Sequence, residues 1–208
     1  MIVGLVGLIG SGKDTAADFL VEQYNFRRES FAGHLKDIVS IVFGWDRDML
    51  EGRTTESRQW REQTDLWWSA RLQMNITPRW VLQYWGTDVL RNNFHNDIWL
   101  ASLEKKISSD NGNIVITDCR FPNEIDILKK LNAKICRVVR GSDPDWFLYA
   151  KNYMSGPCNN DYNTAKDLIE KIGIHASEYS WANTKFDHII DNNGSIQHLY
   201  EQLTSITS

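Results

Sequence analysis

The sequence predicts a three-layer α/β fold, in which helices cover a mainly parallel five-stranded sheet. Short apolar runs rich in β-branched residues lie at residues 2–7, 114–118 and 133–139, and such runs are typical of strands that are buried on both faces. Segments with apolar residues at helical spacing, such as residues 13–24, separate these runs. Strands that alternate with helices in this way favour parallel pairing.

The other elements are predicted from weaker patterns. Thr77 is expected to cap a helix that begins with Pro78, because proline suits the first helical position. Strands are predicted at residues 26–32 and 186–191, and helices at residues 35–43, 56–72, 78–93, 97–108, 122–131, 164–172 and 195–203.

A single domain is expected from the length of 208 residues, with two regions set apart by composition. Residues 44–110 are interpreted as a helical insertion, because residues 44–76 carry more tryptophan than linkers do. Residues 141–180 begin with a stretch rich in Gly, Pro, Asp and Asn, which indicates loops. Most of the nine tryptophans are expected to pack in the core or in the insertion.

Composition excludes several classes of protein. The net charge of −4 argues against an extended surface for nucleic acid or for an anionic membrane. Residues 1–9 are apolar, but they are too short to span a bilayer and lack the basic flank of a signal peptide. The three cysteines are widely spaced, so neither a disulfide framework nor a structural zinc site is expected. We expect a cytoplasmic protein with no nucleic-acid or membrane partner.

Residues 7–13 read Gly-Leu-Ile-Gly-Ser-Gly-Lys and match the G-x-x-x-x-G-K pattern of a phosphate-binding loop, or P-loop. The pattern lies between a predicted strand and a predicted helix, which is the context that it requires. Glycines let successive N–H groups point into one concavity, and the helix N-terminus adds partial positive charge. Lys13 would therefore reach the β- and γ-phosphates of a nucleotide.

The loop departs from the usual pattern after Lys13. Asp14 comes next, and the expected hydroxyl follows one residue later, at Thr15. This arrangement resembles nucleoside monophosphate kinases of the adenylate kinase type, in which the Thr hydroxyl approaches a donor phosphate and the metal is held largely through water. Asp14 begins the helix and could act there electrostatically. Switch GTPases are disfavoured, because residues 183–187 miss the N-K-x-D spacing by one residue.

Asp118 and Arg120 stand at the end of a predicted strand, where open parallel sheets bind their ligands. A carboxylate there suits a hydrated Mg²⁺ ion, and a guanidinium can clamp a phosphate. The alternative is an aspartate that caps a helix and an arginine at the surface. Residues 118–122, Asp-Cys-Arg-Phe-Pro, resemble the D-G-F-P-R segment of adenylate kinases.

From residue 1 to about residue 204, the sequence resembles the bacteriophage deoxynucleoside monophosphate kinases. The P-loop alone identifies only the superfamily. Residues 120–124, combined with the Gln and Gly-Thr-Asp of one helix, are specific to a much smaller group of proteins. The Trp-rich stretch at residues 45–76 is less diagnostic. The segments that carry the resemblance are residues 12–15, 31–36, 78–79, 83, 86–88, 97–99, 118–124, 175–178 and 191–194.

This resemblance implies that ATP, with Mg²⁺ as cofactor, donates its γ-phosphoryl group to a deoxynucleoside 5′-monophosphate (dNMP) for DNA precursor synthesis. The catalytic residues would be Lys13, Arg120, Arg140 and Asp118, and Asp118 would hold the metal through water. Arg140 is preferred to Arg137, because it stands at the end of a strand. ATP would bind the loop and a turn near the adenine, at Gly7, Gly10, Ser11, Gly12, Lys13, Asp14, Thr15, Asn192 and Gly194.

The acceptor would be bound by residues outside the loop. Residues 79, 83 and 87 share one face of a predicted helix. Residues 141–180 would form a lid that closes over the phosphates. The base could stack on one of Trp80, Trp85 and Trp99. The acceptor-binding candidates are Lys36, Arg79, Gln83, Thr87 and Arg91.

Two alternatives stay open at the level of sequence. A kinase for another phosphorylated metabolite, of the dephospho-coenzyme A or phosphomevalonate type, shares this architecture. A non-catalytic nucleotide-binding module would keep the loop without a paired acceptor site. Ser177 lacks the strained elbow of a hydrolase nucleophile, so an N-capping or lid-anchoring role is expected for His175, Ser177 and Glu178. The accepted bases and a homodimer through the Trp-rich insertion are left open.

Overall fold

The computed structural model describes residues 1–109 and 111–207 and confirms the predicted sheet. The strands are β1 (Ile2–Val6), β2 (Phe26–Glu29), β3 (Asn113–Ile116), β4 (Lys134–Val139) and β5 (His188–Asp191). Within the described residues these five form one sheet in the order β2-β3-β1-β4-β5, and every pair is parallel. β1 is central, so its carboxyl end lies between those of two neighbouring strands.

Helices occupy most of the remaining chain. A π-helix covers Tyr84–Asn92, directly after the sixth α-helix. The α-helices are α1 (Lys13–Tyr24), α2 (Gly33–Phe43), α3 (Arg47–Glu51), α4 (Thr55–Glu62), α5 (Leu66–Leu72), α6 (Pro78–Gln83), α7 (Ile98–Ser108), α8 (Pro122–Lys130), α9 (Trp146–Met154), α10 (Tyr162–Ile172), α11 (Ala176–Tyr179) and α12 (Ile196–Thr207).

The chain divides into two compact units. The sheet unit comprises Met1–Ser30 and Ile107–Ser208, and the helical unit comprises Phe31–Lys106. The sequence interpretation begins the insertion later, at residue 44, and its expected end at residue 110 lies outside the described residues, as does residue 208. The insertion at residues 44–110 and the lid at residues 141–180 stay predictions.

Three layers build the sheet unit. α1 and α12 pack on one face of the sheet, where their apolar side chains and those of the strands exclude water. On the other face, a Cβ added to Gly4 would meet Leu128 of α8 at 3.1 Å, so helix and strand approach closely there. The buried side chains on the α1 and α12 face include Val3, Leu5, Ala16, Leu20, Leu199, Leu203 and Ile206.

Aromatic side chains build the core of the helical unit. Trp45 and Trp99 are buried, and Phe43 stacks on Trp45 with ring centroids 4.4 Å apart. The expectation that tryptophans mostly serve packing is therefore confirmed for this core, although Trp67 is 64% exposed. The buried members of the core are Leu35, Val39, Trp45, Leu50, Ile76, Val81 and Trp99.

The structure differs from the predicted elements in several places. The single helix expected at residues 56–72 is two helices, because Gln63 is extended and Asp65 caps α5 by accepting a hydrogen bond from the Trp68 amide at 2.9 Å. Residues 141–162 were expected to be rich in loops, but they contain α9, in which Phe147 and Ala150 are buried and the Phe147 ring lies 5.3 Å from that of Trp181.

The helix expected at residues 78–93 changes type along its length. It starts as predicted, with the Trp80 amide donating to the Thr77 hydroxyl at 3.1 Å and Pro78 in the first turn. After Gln83 it widens into the π-helix. Helices of this type close i→i+5 hydrogen bonds and are frequent at functional sites.

Two of the cysteine thiols are buried, those of Cys119 and Cys136. Burial raises the pKa of the Cys119 thiol well above its usual value, and it raises that of Cys136 to about 12, so both thiols stay protonated and unreactive. In the part of the chain that the structure describes, no helix is long and apolar enough to span a bilayer.

Candidate active site

The glycine-rich loop connects the carboxyl end of β1 to the start of α1. Gly12 has φ of 98°, a left-handed conformation that side chains disfavour, and it is the N-cap of α1. The first amides of α1 have no partner inside the helix, and Gly12 provides no side-chain cap for them, so these amides can bind an anion. A Cβ on Gly7 would lie 2.5 Å from the Val138 carbonyl oxygen, so the loop passes close to β4.

Lys13 folds back over this loop. Its ammonium donates hydrogen bonds to the carbonyl oxygens of Gly7 at 2.7 Å and Leu8 at 2.9 Å. Burial lowers the pKa of Lys13, and the positive charge of Arg120 lowers it further, although Asp14 acts in the opposite direction. The positive charge here is therefore incompletely balanced by protein groups, which is the condition that an anionic ligand would relieve.

Arg120 follows β3 and lies close enough to Lys13 to affect its pKa. Its Nη1 donates to the Ser177 hydroxyl at 3.3 Å and lies 3.5 Å from a Glu178 carboxylate oxygen. The buried carboxylate of Glu124 accepts the Arg120 backbone amide at 2.8 Å, which fixes the turn that carries the arginine. The structure thus brings the predicted residues Lys13 and Arg120 together, with the Arg120 side chain half exposed.

His175 and Ser177 support this arrangement from α11. His175 Nδ1 accepts the Ser177 amide at 3.2 Å, which makes His175 the N-cap of the helix. This is the capping role expected from the sequence. Ser177 is buried and holds Arg120, so residues of the predicted lid region contact a predicted catalytic residue.

The turn after β5 contacts the loop directly. The Asn192 side-chain amide donates to the Ser11 carbonyl oxygen at 2.9 Å, and the Asn192 backbone amide donates to Val139 of β4 at 2.8 Å. Gly194, the other residue expected near the adenine, is exposed two residues further along. Asn192 is therefore part of the loop's surroundings, and the expected position of this turn near the adenine stays a prediction.

The two arginines of β4 have different environments. Arg137 is buried, pairs with Asp143, and lies over the Phe147 ring at 4.4 Å and the Trp181 ring at 5.4 Å. These contacts make Arg137 a packing residue of the sheet unit. Arg140 is exposed just after the strand, and the described residues provide no hydrogen bond or ion pair for it. It can therefore reorient toward a bound phosphate.

Asp118 lies two residues after the end of β3 and is half-buried. Among the described residues, no group of three or more His, Cys, Asp or Glu side chains forms a ready metal cage. A single carboxylate suits Mg²⁺, since this ion keeps several waters and binds one or two carboxylates together with substrate phosphates. The residues present therefore fit a nucleotide-bound Mg²⁺ ion, with Asp118 as the protein group.

Lys36, an acceptor candidate, takes part in an ion-pair network within the helical unit. Its ammonium lies 2.7 Å from a Glu51 carboxylate oxygen, and Arg47 contacts both Glu51 at 2.5 Å and Asp37 at 2.6 Å. Burial acts to raise the pKa of Glu51, but Lys36 and Arg47 outweigh it and hold that pKa at about 2. The Lys36 charge is thus already compensated, and its acceptor role stays a prediction.

The other acceptor candidates follow one another on α6 and the π-helix. Arg79 is exposed, with its Nε 3.7 Å from Glu62, and Gln83 and Thr87 are exposed as well. Arg91 is half-buried. These four residues present two guanidinium groups, an amide and a hydroxyl within the helical unit.

Sequence reasoning missed a second basic group beside Arg79. Arg61 of α4 is half-buried, and its pKa is lowered by burial and then by the charges of Arg79 and Arg58. Its Nε is buried and lacks an acceptor among the described residues. The i, i+3 spacing of Arg58 and Arg61 on one helix was the available signal. This cluster is a further candidate for binding an anion.

A central parallel strand that leads into a glycine loop, a half-buried lysine and a helix N-terminus defines a P-loop nucleotide-binding protein. The family model described as deoxynucleotide monophosphate kinase matches residues 53–145. A deoxynucleoside-5′-monophosphate kinase of Escherichia phage T5 is 30% identical over 182 residues, which cover 64% of this chain and 73% of that protein. The chain belongs to the deoxynucleotide monophosphate kinase family.

Other proteins are similar over almost the whole chain. A protein of Acanthamoeba polyphaga mimivirus is 28% identical over 220 residues, which cover 99% of this chain and 95% of that protein. Among solved structures, the alignment with TT1252 from Thermus thermophilus covers 100% of this chain and 96% of that protein, at 15% identity and a TM-score of 0.48. Dephospho-CoA kinase from Campylobacter jejuni covers 99% and 94%, at 13% identity and a TM-score of 0.46.

Proposed function

We propose that the chain transfers the γ-phosphoryl group of ATP to a dNMP, which yields ADP and the deoxynucleoside diphosphate used in DNA precursor synthesis. Its membership of the kinase family supports the reaction. The observation that carries the donor site is the half-buried Lys13, whose ammonium donates to the carbonyl oxygens of Gly7 and Leu8 in the glycine loop and whose pKa is lowered by burial and by the charge of Arg120. A triphosphate bound in the loop would supply the missing negative charge.

The donor nucleotide would be held mainly by backbone groups of residues 7–15. The amides of the loop and of the first turn of α1 would donate to the β- and γ-phosphates, and Lys13 would exchange its two carbonyl partners for phosphate oxygens. Asn192, which already contacts the loop, would place its turn beside the adenine.

The chemical step requires that the two nucleotides are aligned and that the charge on the transferred phosphoryl group is neutralised. It requires no general base, because the acceptor phosphate is already an anion. Lys13, Arg120 and Arg140 would neutralise the charge that spreads over the transferred group. Mg²⁺ bound to the donor phosphates would add positive charge there, and Asp118 would hold it through water. Residues of the predicted lid would exclude water from the phosphates.

The acceptor would bind the helical unit through the polar residues of α6 and the π-helix. A guanidinium at Arg79 or Arg91 suits a monophosphate, and the Gln83 amide can both donate to and accept from a base edge. A cytoplasmic location, the absence of nucleic-acid and membrane partners, and a homodimer stay predictions alongside this assignment.

An acceptor panel tests the reaction. Purified protein is incubated with γ-labelled ATP, Mg²⁺ and each of the four dNMPs, their ribonucleotide counterparts, or dephospho-coenzyme A. We expect transfer to at least one dNMP and none to dephospho-coenzyme A. Lys13→Ala, prepared identically, controls for contaminating kinases and should lose at least about a hundredfold in kcat. Wild-type protein that labels no dNMP would overturn the proposal.

A further inference from the structure

Gly86 is buried in the π-helix, and Trp85, Leu90 and Arg91 are half-buried. An α-helix turns once every 3.6 residues, whereas a π-helix needs about 4.4 residues per turn. Residues spaced four apart therefore move around the helix axis in opposite directions in the two types of helix.

The same widening aligns the polar residues on the outside. We call Arg79, Gln83, Thr87 and Arg91 the polar row, since they are spaced four residues apart. Each such step rotates by about +40° on an α-helix but by about −30° on a π-helix. With α6 followed by the π-helix, the row spans about 65° of arc, whereas an α-helix throughout would spread it over about 120°.

A buried hydrogen bond ties the π-helix to the core of the helical unit. The indole Nε1 of Trp99 in α7 donates to the Gly86 carbonyl oxygen at 2.9 Å, and Trp99 is only 4% exposed. Gly86 approaches α2 closely, because a Cβ there would lie 2.7 Å from Leu35 Cδ2. The backbone of the π-helix is thus seated between α2 and α7 at this glycine.

We propose that Trp99 is a positioning residue for acceptor binding, because its hydrogen bond to Gly86 holds the π-helix that aligns the polar row. This inference rests on the proposed function. The row combines cations that can bind a phosphate with an amide and a hydroxyl that can bind the rest of a nucleotide. One dNMP can contact all of these groups only if they lie on the same side of the helix. Trp99 acts through the backbone of residue 86 and not on the substrate.

Trp99→Phe tests the inference, since it keeps the ring and removes the N–H donor. Trp68→Phe is the matched control, because Trp68 Nε1 also donates to a backbone carbonyl of the same unit, that of Phe43 at 3.0 Å. We expect Trp99→Phe to raise KM for the best dNMP about tenfold, as the loss of a donor to a buried carbonyl implies, while KM for ATP stays unchanged. Trp68→Phe should leave both KM values near those of the wild type.

A measurement on the wild-type protein gives an independent test. If the Trp99 bond favours acceptor binding, the acceptor must favour the bond by the same factor. Saturating dNMP should therefore slow hydrogen exchange of the Trp99 indole N–H about tenfold in NMR spectra, whereas a non-hydrolysable ATP analogue and the Trp68 indole should show no such change.

The outcomes separate the two proposals. Wild-type transfer to dNMP, combined with equal KM values in the two tryptophan variants or unchanged Trp99 exchange, would overturn the positioning role and leave the proposed function standing. A wild-type protein that transfers to no dNMP would overturn the proposed function and the positioning role together. Thermal unfolding of both variants shows whether a raised KM reflects loss of the fold.

Discussion

Two residues give the candidate nucleotide site its positive charge, Lys13 in the loop and Arg120 after β3. Burial lowers the pKa of Lys13, and repulsion by the charge of Arg120 lowers it further. Among the described residues, the Arg120 guanidinium contacts a hydroxyl at 3.3 Å and a carboxylate at 3.5 Å, both longer than a good charge-assisted bond. We therefore expect phosphate oxygens to replace these partners when a nucleotide binds.

The lowered pKa of Lys13 predicts how ATP binding depends on pH. Below this pKa the ammonium is present and attracts the phosphates, and above it the charge is lost, at a lower pH than the 10.5 of an ordinary lysine. We expect the Kd for ATP to rise as the pH is raised from neutrality toward 10.5. Calorimetry on Lys13→Arg is the control, because arginine stays charged and its binding should vary much less. Parallel pH profiles for the two proteins would contradict the prediction.

At the scale of elements, capping decides where the helices of the helical unit begin and end. Thr77 with Pro78 is a local signal, and it predicted the start of α6. Asp65 is less visible in the sequence, because it interrupts a stretch that is helical on both sides. Its Oδ2 also accepts the Trp45 indole N–H at 2.7 Å, so the cap is joined to the aromatic core.

This double role predicts that Asp65 matters more than an ordinary cap. Asp65→Ala removes the Trp68 amide's acceptor and leaves the buried Trp45 indole unsatisfied, so we expect a loss of about 2 kcal/mol in the free energy of unfolding. Asp46→Ala is the matched control, since Asp46 caps α3 through Met49 at 2.9 Å and is exposed, and it should cost about 1 kcal/mol. Urea unfolding measures both, and equal losses would refute the added role of Asp65.

At the scale of the whole molecule, local patterns predicted the sheet and the loop, and long-range contacts determined the rest. Buried apolar runs and the G-x-x-x-x-G-K pattern act over a few residues, so β1, β3, β4 and the loop were readable. Trp99 bonds to Gly86 of the π-helix from thirteen residues further along the chain, and Lys36 pairs with Glu51, fifteen residues away. The spacing of apolar residues carries no information about such contacts, so they could not be predicted from the sequence.

The division into two units predicts that donor and acceptor binding can be damaged separately. Gly12→Ala forces a left-handed residue to carry a Cβ against the Asn192 side chain, so ATP binding should be lost while dNMP binding persists. Arg79→Ala should raise the Kd for dNMP about tenfold and leave ATP binding unchanged. Calorimetry with each ligand alone tests both variants. Loss of both ligands in either variant would contradict the separation.

The contact between Asn192 and Ser11 joins positions 181 residues apart, and β1 finds its neighbours only from Ile114 onward. On the ribosome, the apolar strand β1 and the glycine-rich loop are therefore exposed long before β3, β4 and the turn at Asn192, which contact them, have been synthesised. Nascent chains of this enzyme consequently carry an unpaired strand through most of translation, the condition under which newly made proteins associate wrongly or recruit chaperones.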